Sequence, residues 1–132
     1  MNPPSVDIKD LLDADSDVGL TFPTDLFVSE MPKEPDLCAA VFDSGGFDPD
    51  AHIDYQRPTV QVRVRGNKGA YVAAHSLAQA IRDALNGLND QTVNATRYIG
   101  IWVVGDVLSL GQDDNGRPLL SVNFRIHRTA AS

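Results

Sequence analysis

Alternation is the clearest signal in the chain. Along Pro58-Thr59-Val60-Gln61-Val62-Arg63-Val64-Arg65 the valines fall on one side and Gln61, Arg63 and Arg65 on the other, the period of two expected of a half-buried strand. The pattern returns near the C-terminus, where Leu120, Val122, Phe124 and Ile126 oppose Ser121, Asn123, Arg125 and His127. From Ala70 to Asn86 the period lengthens. Tyr71, Ala74, Leu77, Ala78, Ile81 and Leu85 recur at spacings of three and four, which predicts an amphipathic helix stopped by Gly87.

Weaker signals fill the rest. Val6, Ile8, Leu11 and Leu12 predict a short helix over Val6–Ala14, with Ser5 as its N-cap and Asp7 at the positive end of its dipole. Asp13 to Pro23 reads as an acidic loop. Leu26–Val28 and Leu37–Phe42 read as strands, separated by a segment broken at Pro32 and Pro35. Residues 43–57, with Gly45-Gly46, Pro49 and four aspartates, predict a long loop. Tyr98–Val104 and Val107–Gly111 read as two strands divided at Gly105-Asp106, and Asp113-Asp114-Asn115-Gly116 as a tight hairpin turn. The order α-β-β-β-α-β-β-β predicts an α+β fold in a single domain over residues 1–132. Its mixed or antiparallel sheet would carry one long amphipathic helix packed across the apolar face, plus the short N-terminal helix and acidic loop of residues 1–22.

Composition bounds this picture. A chain of 132 residues, 42% apolar, buries roughly two-thirds of its unfolded surface, enough for a core without staples. The lone cysteine, Cys38, excludes an internal disulfide and a cysteine-cluster zinc site. The longest apolar stretch, Ile99 to Gly105, falls well short of the ~20 residues that cross a bilayer. The start, Met1-Asn2-Pro3-Pro4, lacks the features of a signal peptide. A soluble protein made in the cytosol, with no membrane partner, is the expectation.

Charge adds more than its net value of −7. Up to Asp54 there are thirteen acids against Lys9 and Lys33, whereas from Tyr55 onward nine Lys/Arg face five acids. Such a dipolar chain suits head-to-tail association, an acidic patch on one copy meeting a basic patch on the next. Asp13, Asp15 and Asp17 are candidate acids for that contact, and Arg63, Arg65, Arg125 and Arg128 candidate bases. Arginine suits the role because its planar fork pairs bidentately with carboxylates. The same arginines together with Lys68 could form a nucleic-acid stripe, but a sequence pI of 4.6 opposes phosphate binding.

The chemistry of an enzyme finds little support. A calcium loop begun at Asp13 needs glycine at its sixth position and glutamate at its twelfth, where the chain has Val18 and Thr24. Asp48, Asp50, His52 and Asp54 could face a divalent ion, yet loop aspartates more often build turns, a role Pro49 suggests for Asp48. Cys38 lies in an apolar run, and neither His75 nor His127 comes with the signature of a nucleophile and its base. Gly66-Asn67-Lys68-Gly69 lacks the spacing of a phosphate-binding loop. No catalytic residue, metal or cofactor is expected.

Residues 57–128 carry a resemblance. The strand Arg57–Gly66 leads into the helix Tyr71 to Gly87; then follow Gly105-Asp106, an acidic D-x-x-G-R-P turn at Asp113–Pro118, and the final strand Ser121-Val122-Asn123-Phe124. This order resembles the minor capsid or tail terminator (tail completion) proteins of long-tailed bacteriophages. The resemblance implies a non-enzymatic ring, usually a hexamer, which caps the tail tube, halts its polymerisation and gives the head connector a docking surface. Its partners would be copies of itself, the major tail tube protein and the connector. DNA would pass through the lumen without specific binding, past carboxylates of the acidic half. The implied location is the tail–head junction of the virion, reached by assembly in the host cytoplasm. Candidate tube or connector contacts are Phe47, Asp48, Asp50 and His52 in the long loop, with Asp113, Asp114 and Arg117 in the hairpin. Another neck or head-completion protein, and a small metal-dependent enzyme using the Asp/His loop, are the competing readings.

Overall fold

A computed structural model describes residues 1–131. The fold is α+β: a curled, mixed seven-stranded sheet with two helices. The elements run α1 (Pro4–Asp13), β1 (Leu26–Val28), β2 (Cys38–Gly46), β3 (Tyr55–Gln56), β4 (Pro58–Arg65), α2 (Tyr71–Leu85), β5 (Leu88–Val93), β6 (Thr96–Gln112) and β7 (Pro118–Ala130). The sheet order is β1-β2-β4-β7-β6-β5, with β3 added beside the end of β7. Only the β1–β2 pair is parallel.

Alternation decides which face of the sheet is covered. Val62 pairs with Val122, Val60 with Phe124 and Val64 with Leu120, so both apolar rows point the same way. All six are fully buried, as is Ile126. Ile8 and Leu12 of α1, and Ala74, Ala78, Ile81 and Leu85 of α2, enter the same cluster, so both helices pack on that one face. Phe27, Cys38 and Ala40 form a small separate cluster at the margin of the opposite face, flanked by Met31 and Phe42.

Several elements depart from expectation for local reasons. Helix α1 starts at Pro4, with Pro3 at the cap position, because proline at the first helical position needs no N–H partner. Ser5 is therefore inside the helix, and its N–H and hydroxyl both donate to the Asp43 carboxylate, at 2.9 and 2.7 Å. The expected long loop is shortened at both ends, since β2 continues to Gly46 and β3 begins at Tyr55. The expected break at Gly105-Asp106 is a bulge: Gly105 adopts φ +73° and the register with β7 shifts between Val104 and Leu108, but β6 runs on. Strand β5 had no sequence signal. It is tied to β6 by Asn94 and Ala95, both at positive φ. In the β6–β7 turn only Gly116 of the Asn-Gly pair takes a positive φ.

A buried polar network joins the two chain ends. Asp7, fully buried, accepts hydrogen bonds from the Tyr98 hydroxyl and from the Asn94 amide, the latter at 2.7 Å. Arg128 Nη1 lies 3.9 Å from that carboxylate and donates to the Asn2 carbonyl at 2.9 Å, while its Nε donates to Gln56. Burial and the adjacent Asp7 carboxylate push the Tyr98 phenol well above its usual range. Replacing Tyr98 with Phe removes a donor from a buried carboxylate. The expected loss is about 1–3 kcal/mol of stability in urea unfolding, without change in the slope of the transition.

Candidate functional site

The face that the helices leave open is the feature of this molecule best placed to meet a partner. Cross-strand pairing lines up Phe42 of β2, Gln61 of β4, Asn123 of β7 and Val104 of β6, with Thr59, Arg125 and Trp102 in the adjoining row. Gln61 Nε2 donates to Asn123 Oδ1 at 3.2 Å, and Arg63 Nε donates to Gln61 Oε1 at 2.8 Å. Three guanidiniums lie over rings on or beside this face: Arg63 over Phe42 at 5.2 Å, Arg125 over Trp102 at 5.4 Å and Arg57 over Phe47 at 5.2 Å. Stacking of this kind holds a long, flexible side chain in place. Burial, reinforced by Arg125 and Arg57, lowers the pKa of the His127 imidazole, whose ring packs edge-on against Trp102. Beyond Val104 the face continues into Leu108 and Leu110, and all three are about half exposed. A cleft of ≈ 230 Å³ between Met31, Arg63, Leu110 and Leu119 completes it.

The four candidate interface arginines are divided by this geometry. Arg63 and Arg125 are exposed on the open face. Arg65 and Arg128 are not available at the surface, being 4% and 6% exposed. Arg65 lies on the open-face side of β4, but the segment 32–36 folds over it. Its Nη2 donates to the carbonyls of Pro32 and Pro35 at 2.6 and 2.7 Å, and its Nε to that of Asp36 at 3.1 Å. Arg128 sits in the Asp7–Tyr98 network.

The hairpin candidates need the same correction. Arg117 is 8% exposed; its Nε donates to Asp113 Oδ2 at 2.7 Å, and its Nη1 to the Lys33 carbonyl at 2.6 Å and to Asp36 Oδ1 at 3.1 Å. Asp113 also accepts the N–H groups of Asn115 and Arg117, both at 2.9 Å, so it builds the turn. Of the three hairpin residues only Asp114 is exposed. The loop 47–54 is exposed throughout, with Phe47 and Ile53 at 64% and 62%. Asp50, rather than Asp48, shapes it, accepting the N–H groups of His52 and Ile53 at 2.8 and 3.3 Å.

The candidate acids lie on the opposite layer. Asp13 accepts the Phe22 N–H, and Asp15 accepts those of Asp17 and Val18. Asp15 and Asp17 join Asp83 of α2 around a groove of ≈ 400 Å³ lined also by Ala80 and Ala84. Among the described residues no group of three or more His, Cys, Asp or Glu is arranged to hold a metal ion, and no helix is long and apolar enough to cross a membrane. The sequence reading missed Arg57, Trp102 and the exposed aliphatic residues of β6. Ile99 to Val104 reads as a uniformly apolar run, and only its register with β7 reveals which half faces outward.

Comparison with known proteins adds two findings. A family model described as bacteriophage tail terminator protein matches residues 15–130. Among solved structures, the fold is similar to a chain of a structure titled "Virion of native gene transfer agent (GTA) particle", at a TM-score of 0.78 and 15% identity, covering 97% of this chain and 96% of that one. No curated protein matches.

The Asp113–Arg117 pair gives a pH test. Burial opposes ionisation of Asp113, but hydrogen bonds from the Arg117 backbone and side chain outweigh it and hold the carboxyl below its ordinary value. A depressed folded-state pKa stabilises the fold above the unfolded value of about 4, and that contribution is lost as pH falls through the folded value. Thermal melts of Asp113→Asn should therefore lie below those of the parent chain at pH 7. The two should converge as the pH drops below about 4.

Proposed function

The chain belongs to the bacteriophage tail terminator family, and from that premise we propose that its copies form a ring, a hexamer, which caps the finished tail tube. Membership makes it a structural, non-enzymatic component of the virion tail. The ring stops tube polymerisation and presents the docking surface for the head connector. Its place is the tail–head junction, reached by assembly in the host cytoplasm, and the chain acts there as one domain over residues 1–132. DNA passes through the lumen without specific binding, past carboxylates of the acidic N-terminal half.

The observation that carries this reading is the family match over residues 15–130. Support from geometry comes from the open sheet face and the loop 47–54. The loop sets Phe47 and Ile53 in solvent with Asp48, Asp50 and His52 between them, an apolar-and-acidic surface on a rigid scaffold that suits a tube or connector contact. Asp114 at the hairpin tip is the second such contact.

Two measurements test the proposal. Particles assembled without this chain should show tubes of uncontrolled length and heads without tails in electron micrographs; tails of normal length joined to heads would overturn the terminator role. Deletion of Phe47 to His52 should leave the chain folded yet reproduce the joining or length defect. Normal virions from that variant would remove the loop from the contact surface while leaving the ring intact.

A further inference from the structure

The open sheet face and the acidic groove are complementary, and they lie on opposite layers of the molecule. On the open face Arg57, Arg63 and Arg125 are held against Phe47, Phe42 and Trp102. Among the described residues none of the three has a carboxylate within ion-pair distance. Three unpaired cations on one face are notable in a chain of net charge −7. The groove between the loop after α1 and helix α2 is lined by Asp15, Asp17 and Asp83, with only Ala80 and Ala84 between them. Small side chains there leave a guanidinium room to enter. Asp83 also accepts a hydrogen bond from Arg82 Nε at 3.0 Å, and Asp15 accepts from two backbone N–H groups. Both exposed carboxylates at the groove, Asp17 and Asp83, keep oxygen lone pairs for an incoming donor.

We propose that these surfaces are the two halves of one contact between successive copies: the arginine–aromatic face of one copy seats on the acidic groove of the next. The inference rests on the ring proposed above and names the surfaces that close it. A stacked guanidinium keeps N–H donors free for a carboxylate while losing little further side-chain freedom on pairing. Val104, Leu108 and Leu110, half exposed beside the arginines, supply apolar area to the same contact. Because the two surfaces are different and face opposite ways, the contact is heterologous. Such a contact repeats head to tail and closes into a ring when its rotation allows.

Charge reversal in assembling particles tests this. The basic-face variant is R63E/R125E and the groove variant D17K/D83K; all four side chains are exposed, and Asp15 is spared because it shapes its turn. Each pair alone should lower the yield of head-joined particles at least tenfold while the purified chain melts as the parent does. A chain carrying all four reversals should recover to within a few-fold of the parent. If a reversed pair fails to fold, R63Q/R125Q and D17N/D83N replace it, each lowering the yield by a smaller factor. Parent-like yields from both single-face variants would overturn the contact. So would a defect that the four-residue chain does not repair, as expected if the arginine face instead met DNA or the connector. In either case, overlong, unjoined tails in particles lacking the chain would leave the terminator role standing. Normal particles without the chain would remove that role itself.

Discussion

Register between β4 and β7 governs the molecule. With Val62 opposite Val122, the valines and the Leu120–Ile126 row share the face that α1 and α2 cover, while Gln61, Arg63, Asn123 and Arg125 share the face left open. A slip of β4 by one residue against β7 would turn Gln61, Arg63 and Arg65 into the helix layer and expose the valines, so the burial of seven aliphatic and aromatic side chains fixes the register. The same constraint therefore creates the core and the charged surface. Neither can be altered by shifting a strand without losing the other.

How far the sequence reveals this depends on each strand's environment. β4 and β7 are half buried, so period-two alternation announces them and their faces. β5 is Leu-Asn-Asp-Gln-Thr-Val at the sheet edge, with four consecutive exposed residues, and an edge strand that buries so little leaves no apolar trace. β6 misleads because a glycine within a strand signals either a reversal or a bulge, and only the partner strand decides between them. Here β7 continues opposite it, so the chain bulges and runs on.

The arginines show the limit most plainly. Alternation correctly places Arg63 and Arg65 on one side of β4, but it cannot say what lies above them. The segment 32–36 contains two prolines, cannot join a ladder through them, and presents carbonyls in need of donors. Arg65 and Arg117 between them supply donors to the carbonyls of Pro32, Lys33, Pro35 and Asp36. Four carbonyls of this segment are thus paired by two buried side chains that charge counting alone reads as surface charge. Removing either guanidinium would leave carbonyls unsatisfied, which makes these two residues part of the fold.

That division bears on how copies approach one another. Each carries a net charge of −7, so copies repel on average, and salt confines that repulsion to about 8 Å at physiological ionic strength. At closer range the arrangement of charge outweighs its sum. Arg57, Arg63 and Arg125 are clustered on one layer, and Asp15, Asp17 and Asp83 on the other. Two copies meeting with like layers face to face oppose cation to cation or acid to acid; only unlike layers bring opposite charges together. For the proposed ring, repulsion would act against the symmetric pairings that give closed dimers and would leave the head-to-tail one. On the proposed ring, the net negative charge and the cationic face have complementary roles: the first keeps stray copies apart, and the second selects the single orientation in which they join.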